Sequence, residues 1–314
     1  MSDILRNLRL FEYSPLLQIL VSLIIILGIG FVLFVILLIP GFLLFGADIS
    51  LITTPSSALG SNELAFLRYM VIVQDIAIFI VPAIIILYLM KPENNAPIPG
   101  LKTPYIKDVL LVIILAFFLF PITNFTGQLN SEMHLPDWMS GLEKWMIEKE
   151  DQADGLIDLL ISSKTIWVML LNLVMIAVLP AIGEELIFRG VFQRIFYKLF
   201  RSGHLAVWFT AVIFSAVHFQ FLGFIPRFIL GLSFGYLYLW SGTLWLPIIA
   251  HFVNNAVPVV GTYFNAFDNA GFSDNLPQWE QLVKLSIPIF VCLLILGYFR
   301  NKYKIDNEAN ASYK

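Results

Sequence analysis

Charge is scarce in this sequence. Only 13% of its 314 residues are Asp, Glu, Lys or Arg, and 59% are hydrophobic, whereas a soluble globular chain is about a quarter charged. That balance excludes an ordinary soluble domain and reads as an all-α, polytopic membrane protein. Cysteine occurs once, as Cys292 inside an apolar run, so neither a disulfide framework nor a cysteine metal cluster is available. A basic excess is also missing. With 19 Lys and Arg against 22 Asp and Glu, the net charge is −3, which argues against nucleic acid as a partner. There is no HExxH pair, no serine in a nucleophile elbow and no plausible catalytic cysteine.

What is present is long apolar sequence. Crossing the hydrocarbon takes about 20 mostly apolar residues. Eight segments qualify, at 16–45, 65–90, 108–125, 165–200, 204–221, 225–240, 244–262 and 284–299. The first follows Arg6 and Arg9 and runs for 30 residues, longer than a secretory h-region of about 7 to 15, so it is expected to be a retained helix. The connections alternate in charge. Lys91, Lys102, Lys107, Arg194, Lys198, Arg201, Arg300, Lys302 and Lys304 fall on the side of Arg6 and Arg9. Asp48, Glu63, Asp268, Asp274, Glu280 and the acidic 126–164 segment fall on the other. By the positive-inside rule, both termini are expected in the cytoplasm and the protein in the cell membrane. The 126–164 segment mixes Leu142, Trp145, Met146, Leu156 and Leu160 with its acids, as an amphipathic helix on the outer surface does. The chain thus divides into 1–125 (three membrane helices), 126–164 (outer segment), 165–262 (helical core) and 263–314 (last helix and tail).

Few polar side chains interrupt the spans. Glu184, Glu185 and Arg189 follow an uncharged stretch from Thr165 to Gly183, and His218, His251, Asn254 and Asn255 come later. Arg68, Asp75 and Arg227 complete the charged set, and are expected to pair with one another or to line an outward-facing cavity. An ionisable group inside a bilayer costs several kcal/mol and normally faces the bundle interior. Neighbouring helical positions point about 100° apart, so Glu184 and Glu185 cannot both enter one narrow site. Glu185 and Arg189, at i and i+4, read as a structural ion pair. Glu184 is then left to face something else. His251 and Asn255 share a face by the same spacing, and Asn254 points away. A turn through Ser202-Gly203 makes the fourth and fifth helices antiparallel and brings Glu184 level with His218. Gly231 and Gly235 form a GxxxG packing face, and Pro180 is expected to open a kink beside the glutamates.

A carboxylate, two imidazoles and a carboxamide in a partly dry cavity make a hydrolytic set. The carboxylate can act as general base on water, with an imidazole sharing the proton, while an imidazole and an amide stabilise an oxyanion. The same side chains could bind zinc as His2Glu, through His218, His251 and Glu184. A proton-coupled transporter would instead use them as a relay, but no internal repeat supports it. A non-catalytic scaffold that holds a peptide in the cavity is the third reading.

Glu184-Glu185-x-x-x-Arg189, Phe214-x-x-x-His218 and His251-x-x-x-Asn255, in that order on successive helices, resemble the motifs of the CPBP family. That family comprises type II CAAX prenyl endopeptidases and bacteriocin-processing or self-immunity (Abi) proteins. The resemblance covers about residues 165–262. It implies an intramembrane endopeptidase acting on a membrane-associated or prenylated peptide by glutamate-activated water. Glu184 would be the general base, aided by His218, with His251 and Asn255 stabilising the oxyanion and Glu185 and Arg189 in support. It implies no obligatory cofactor, zinc being the alternative, and membrane lipid and a lipidated substrate as partners.

Overall fold

In the computed structural model, residues 9–48, 51, 60–91, 98, 100–161, 165–266 and 278–306 are described. Arg6, Asp268, Asp274 and the tail beyond Asp306 lie outside them. Among the described residues the longer elements are all helical. They are α1 (Pro15–Phe45), α2 (Ser61–Leu89), α3 (Ile106–Ser131), α4 (Ser140–Ile161), α5 (Ile166–Phe200), α6 (Gly203–Ala216), α7 (Phe224–Ser241), α8 (Trp245–Tyr263) and α9 (Gln278–Asp306).

Five of these, α1, α2, α3, α5 and α9, are long and apolar enough to cross a membrane. The remaining three expected spans are helices of 14, 18 and 19 residues. α6 is too short to span, rising only about 21 Å at 1.5 Å per residue. It ends at Ala216, not near 221 as its composition predicts, because backbone groups at Phe221, Leu222, Phe224 and Ile225 are taken by side chains rather than by a continuing helix. Asn130 of α3 accepts from Ile225 N–H and donates to the Phe221 carbonyl, both at 2.9 Å. Glu150 of α4 accepts from Leu222 N–H at 3.1 Å, and Ser215 donates to the Phe224 carbonyl at 2.6 Å.

Among the described residues the bundle has two large cores and two small clusters, around Phe66 and around Met175. One large core gathers α1, α2, α5 and α6 around Leu87, Phe188, Ile195 and Phe214. The other gathers α3, α7, α8 and α9 around Leu115, Phe234, Leu246 and Phe299. Two glycines set close approaches. A Cβ on Gly231 would lie 3.0 Å from the Cβ of Ala211, so α7 lies against α6 there as the GxxxG reading expects. A Cβ on Gly183 would lie 2.7 Å from the Cβ of Phe79, which presses α2 against α5 beside Glu184. At the basic end, Asp108 of α3 is fully buried and holds α9, accepting from Lys302 Nζ at 2.6 and 2.7 Å and from Tyr303 Oη at 2.6 Å.

α4 lies across the opposite, acidic end. Its half-buried positions, Glu143, Met146, Glu150, Ala153 and Leu156, and the buried Leu160 recur every three or four residues and form one docked stripe. Arg68 of α2 and Asn172 of α5 both donate to the Leu160 carbonyl, at 2.8 and 3.1 Å, and so hold the end of α4. The expected pairing of Arg68, Asp75 and Arg227 is not seen: Arg68 is committed to Leu160, and Arg227 to Gln220.

Candidate active site

The site sits between the two cores, in the middle of α5. Two π-helical turns, Leu173–Val178 and Leu186–Gln193, flank a short α-helical run that carries Pro180, Glu184 and Glu185. Such turns widen a helix and recur at functional positions. Pro180 has no N–H to give the Ile176 carbonyl, four residues earlier. Asn255 of α8 supplies the missing donor, its Nδ2 lying 3.2 Å from that oxygen. The defect expected at Pro180 is thus what ties α8 to α5. Asn254, set aside on helical geometry, donates to the side-chain oxygen of Asn255 at 3.4 Å.

The two glutamates divide as their angular offset requires. Glu185 is sealed, with 0% exposure, and its Oε1 takes Arg189 Nη1 at 2.7 Å. Arg189 is sealed as well. Its Nη2 donates to the Gly231 carbonyl at 3.0 Å, and its guanidinium lies between the rings of Phe214 (4.7 Å) and Phe234 (5.6 Å). Phe214 also meets His218 and His251 edge-on, so this motif aromatic holds three polar groups around one ring. The same Oε1 of Glu185 lies 2.9 Å from His251 Nδ1. The Glu185–Arg189 pair is therefore also a support for a histidine 66 positions away, which the sequence spacing does not show.

Glu184 faces the other way and keeps 14% exposure. Its Oε2 lies 3.9 Å from His218 Nε2 and 3.9 Å from His251 Nε2, and has no hydrogen-bond partner among the described residues. His218, at the start of the loop after α6, has Nδ1 2.8 Å from the Phe214 carbonyl. A carbonyl only accepts, so His218 Nδ1 carries a proton; the Glu185 carboxylate sets the same for His251. Both rings then turn Nε2 towards Glu184. His218 is 27% exposed against 6% for His251, so the site is more open on the His218 side. Glu184, His218 and His251 are brought together, Glu185 and Arg189 stand behind them, and Asn255 lies one helical turn beyond His251.

Two other features are accounted for by packing. Gly231-Leu-Ser-Phe-Gly235 has G-x-S-x-G spacing without being a nucleophile elbow, because Ser233 is in the interior of α7, not on a turn, and donates to the Ile229 carbonyl at 2.9 Å. Cys292 is buried in the second core, on α9.

Residues 165–257 match the family model described as type II CAAX prenyl endopeptidase Rce1-like. That stretch holds every residue just described around Glu184, and it bears out the resemblance read from the three motifs. An uncharacterized protein of Bacillus subtilis (strain 168), YpbD, is 36% identical over 90 residues. The aligned stretch is 27% of this chain and 43% of that protein, so the chain spans less than half the length of the curated relative it matches. No solved structure matches.

Proposed function

We propose that this protein is an intramembrane endopeptidase in which Glu184 activates water to hydrolyse a peptide bond. The observation that carries the reading is the convergence of one open carboxylate oxygen with two imidazole nitrogens, each 3.9 Å away, while both Nδ1 atoms are engaged elsewhere. Three acceptors facing one point need a donor between them, and a water molecule supplies it. Glu184 takes a proton from that water as its oxygen bonds to the carbonyl carbon, and His218 Nε2 orients it. Asn255 donates an amide N–H to the oxyanion, and His251, after taking up a solvent proton at Nε2 while Glu185 holds its Nδ1–H, donates from Nε2 as well. Collapse of the tetrahedral intermediate breaks the C–N bond, and Glu184 passes its proton to the leaving amine. Glu184 lies on α5, a helix long and apolar enough to cross a membrane, so the substrate in this reading is a membrane-associated peptide; a prenylated one is the form the family match favours. The basic end of the bundle faces the cytoplasm in this reading.

Zinc does not fit the residues as they stand. A tetrahedral ion with bonds of about 2.0–2.1 Å holds its ligands roughly 3.4 Å apart, closer than the 3.9 Å here. Among the described residues no group of three or more His, Cys, Asp and Glu side chains is placed to hold a metal ion. A relay for transport is disfavoured by Glu185, whose sealed oxygen is already shared between Arg189 and His251.

The test is cleavage of an S-farnesylated peptide by purified protein, read by mass spectrometry, with Glu184→Gln alongside. Hydrolysis by the wild type is expected to fall at least a hundredfold in the variant and to survive metal chelators. Equal cleavage by both proteins, or loss of activity to chelator with recovery on adding zinc, refutes the mechanism.

A further inference from the structure

Arg227 stands outside the residues given roles above. Its guanidinium folds back over the loop that follows His218, where Nη1 donates to the Gln220 carbonyl at 2.8 Å and Nη2 to the Gln220 side-chain oxygen. Beneath it is Gly223, at which a Cβ would stand 2.4 Å from Nη1 and 2.7 Å from Cζ. Any side chain at 223 would therefore evict the guanidinium from the loop. Gln220 is two residues beyond His218, and Leu222 of the same loop donates its N–H to Glu150 of α4. Yet among the described residues Arg227 makes no salt bridge, and Glu150 is occupied by that N–H. A cation in an apolar bundle without a carboxylate beside it is costly to keep.

We propose that Arg227 binds a carboxylate of the peptide substrate, and so selects peptides with an acidic group near the bond that Glu184 attacks. The inference rests on the hydrolase reading for the position of that bond. Guanidinium offers a fork of donors that matches a carboxylate in two parallel hydrogen bonds. Gln220 fixes the orientation of the fork through two of its nitrogens and leaves further N–H groups over for a ligand. The group is held on the loop that follows His218, and His218 Nε2 is itself 3.9 Å from Glu184 Oε2. The carboxylate has two chemical sources, the free C-terminus of the peptide or the side chain of an Asp or Glu residue.

Binding to the full-length Glu184→Gln protein in nanodiscs tests this without turnover. Four fluorescent S-farnesylated octapeptides serve as probes: a free acid, its C-terminal amide, and two amides that differ only as Glu or Gln next to the last residue. At least one carboxylate probe is expected to bind on the order of tenfold tighter than its neutral twin, and which pair differs identifies the source. Adding Arg227→Gln should bring that ratio to near one, with Arg227→Lys in between. The lysine variant also serves if the glutamine variant fails to fold. No difference among the four probes, whether all bind or none does, overturns the proposal, and so does a preference that survives Arg227→Gln. Cleavage assays on protein with Glu184 intact separate the two readings. Hydrolysis without carboxylate preference sinks this inference alone, and preference without hydrolysis of any probe sinks the hydrolase reading.

Discussion

Replacing Glu185 by Gln keeps the shape of a sealed side chain and removes its charge. In the wild type its Oε1 serves Arg189 at 2.7 Å and His251 at 2.9 Å. Stranding one member of a buried ion pair costs about 3–5 kcal/mol. Here the lower figure applies, because the Gly231 carbonyl at 3.0 Å and the rings of Phe214 and Phe234 still hold the guanidinium. A loss of about 3 kcal/mol raises the unfolded population on the order of 100-fold. Cys292 reports it directly, being a single free thiol buried at 5% exposure, so its reaction with a thiol dye tracks unfolding. Peptidase activity should fall as well, by about 100-fold, since His251 loses the partner that sets its tautomer. The double variant Glu185→Gln/Arg189→Met separates the two effects. With no charge left unpaired, most of the stability should return, because buried ion pairs are often replaceable by apolar groups. Activity should not return. A double variant as unstable as the single one, or one that regains hydrolysis, refutes the assignment of Glu185 to both jobs.

Asn255→Ala should lower kcat by about 100-fold or more, as loss of an oxyanion donor does, and cost about 1 kcal/mol for the unpaired Ile176 carbonyl; an unchanged kcat removes Asn255 from the chemistry. Gly183→Ala drives a Cβ to 2.7 Å from the Phe79 Cβ and should destabilise by about 1–3 kcal/mol; a neutral thermal-melt result would show that α2 and α5 are not in firm contact there. Burial holds the Glu150 carboxyl above its usual range, against the opposing pull of Leu222 N–H and Arg227 and with Asp151 and Asp154 adding to the rise. The folded state thus binds this proton more tightly, so the contribution to α4 docking is present at low pH and lost as pH rises through the raised value. Hydrogen exchange along the α4 backbone, corrected for its intrinsic rate, should be slower at pH 5 than at pH 8, and Glu150→Gln should remove the difference; the opposite trend contradicts the argument.

Much of the bundle is legible in composition, because an apolar run of span length has few alternatives to a helix. The i,i+4 pairing of Glu185 with Arg189 is equally local, and the short Ser202-Gly203 turn is enough to put Glu184 level with His218. What could not be read depends on partners far along the chain. Helix α6 stops at Ala216 because Asn130 and Glu150, from α3 and α4, take the backbone groups of the following loop. Asn255 is fixed by a carbonyl that Pro180 leaves open 79 positions away. Arg68 looked like a mate for Asp75 but holds the end of an amphipathic helix instead. In each case a side chain is positioned by a backbone group, and hydrophobic periodicity carries no record of such bonds.

The clamp on Asp108 sets a schedule for biogenesis. Its ammonium partner, Lys302, lies 194 positions downstream. At about 5–20 residues per second, the ribosome needs roughly 10–40 s to deliver it. Throughout that interval α3 holds a carboxylate whose counter-ion has not yet been made. The second core can therefore close only once the last helix emerges, and a nascent chain truncated before α9 leaves that carboxylate exposed to quality control.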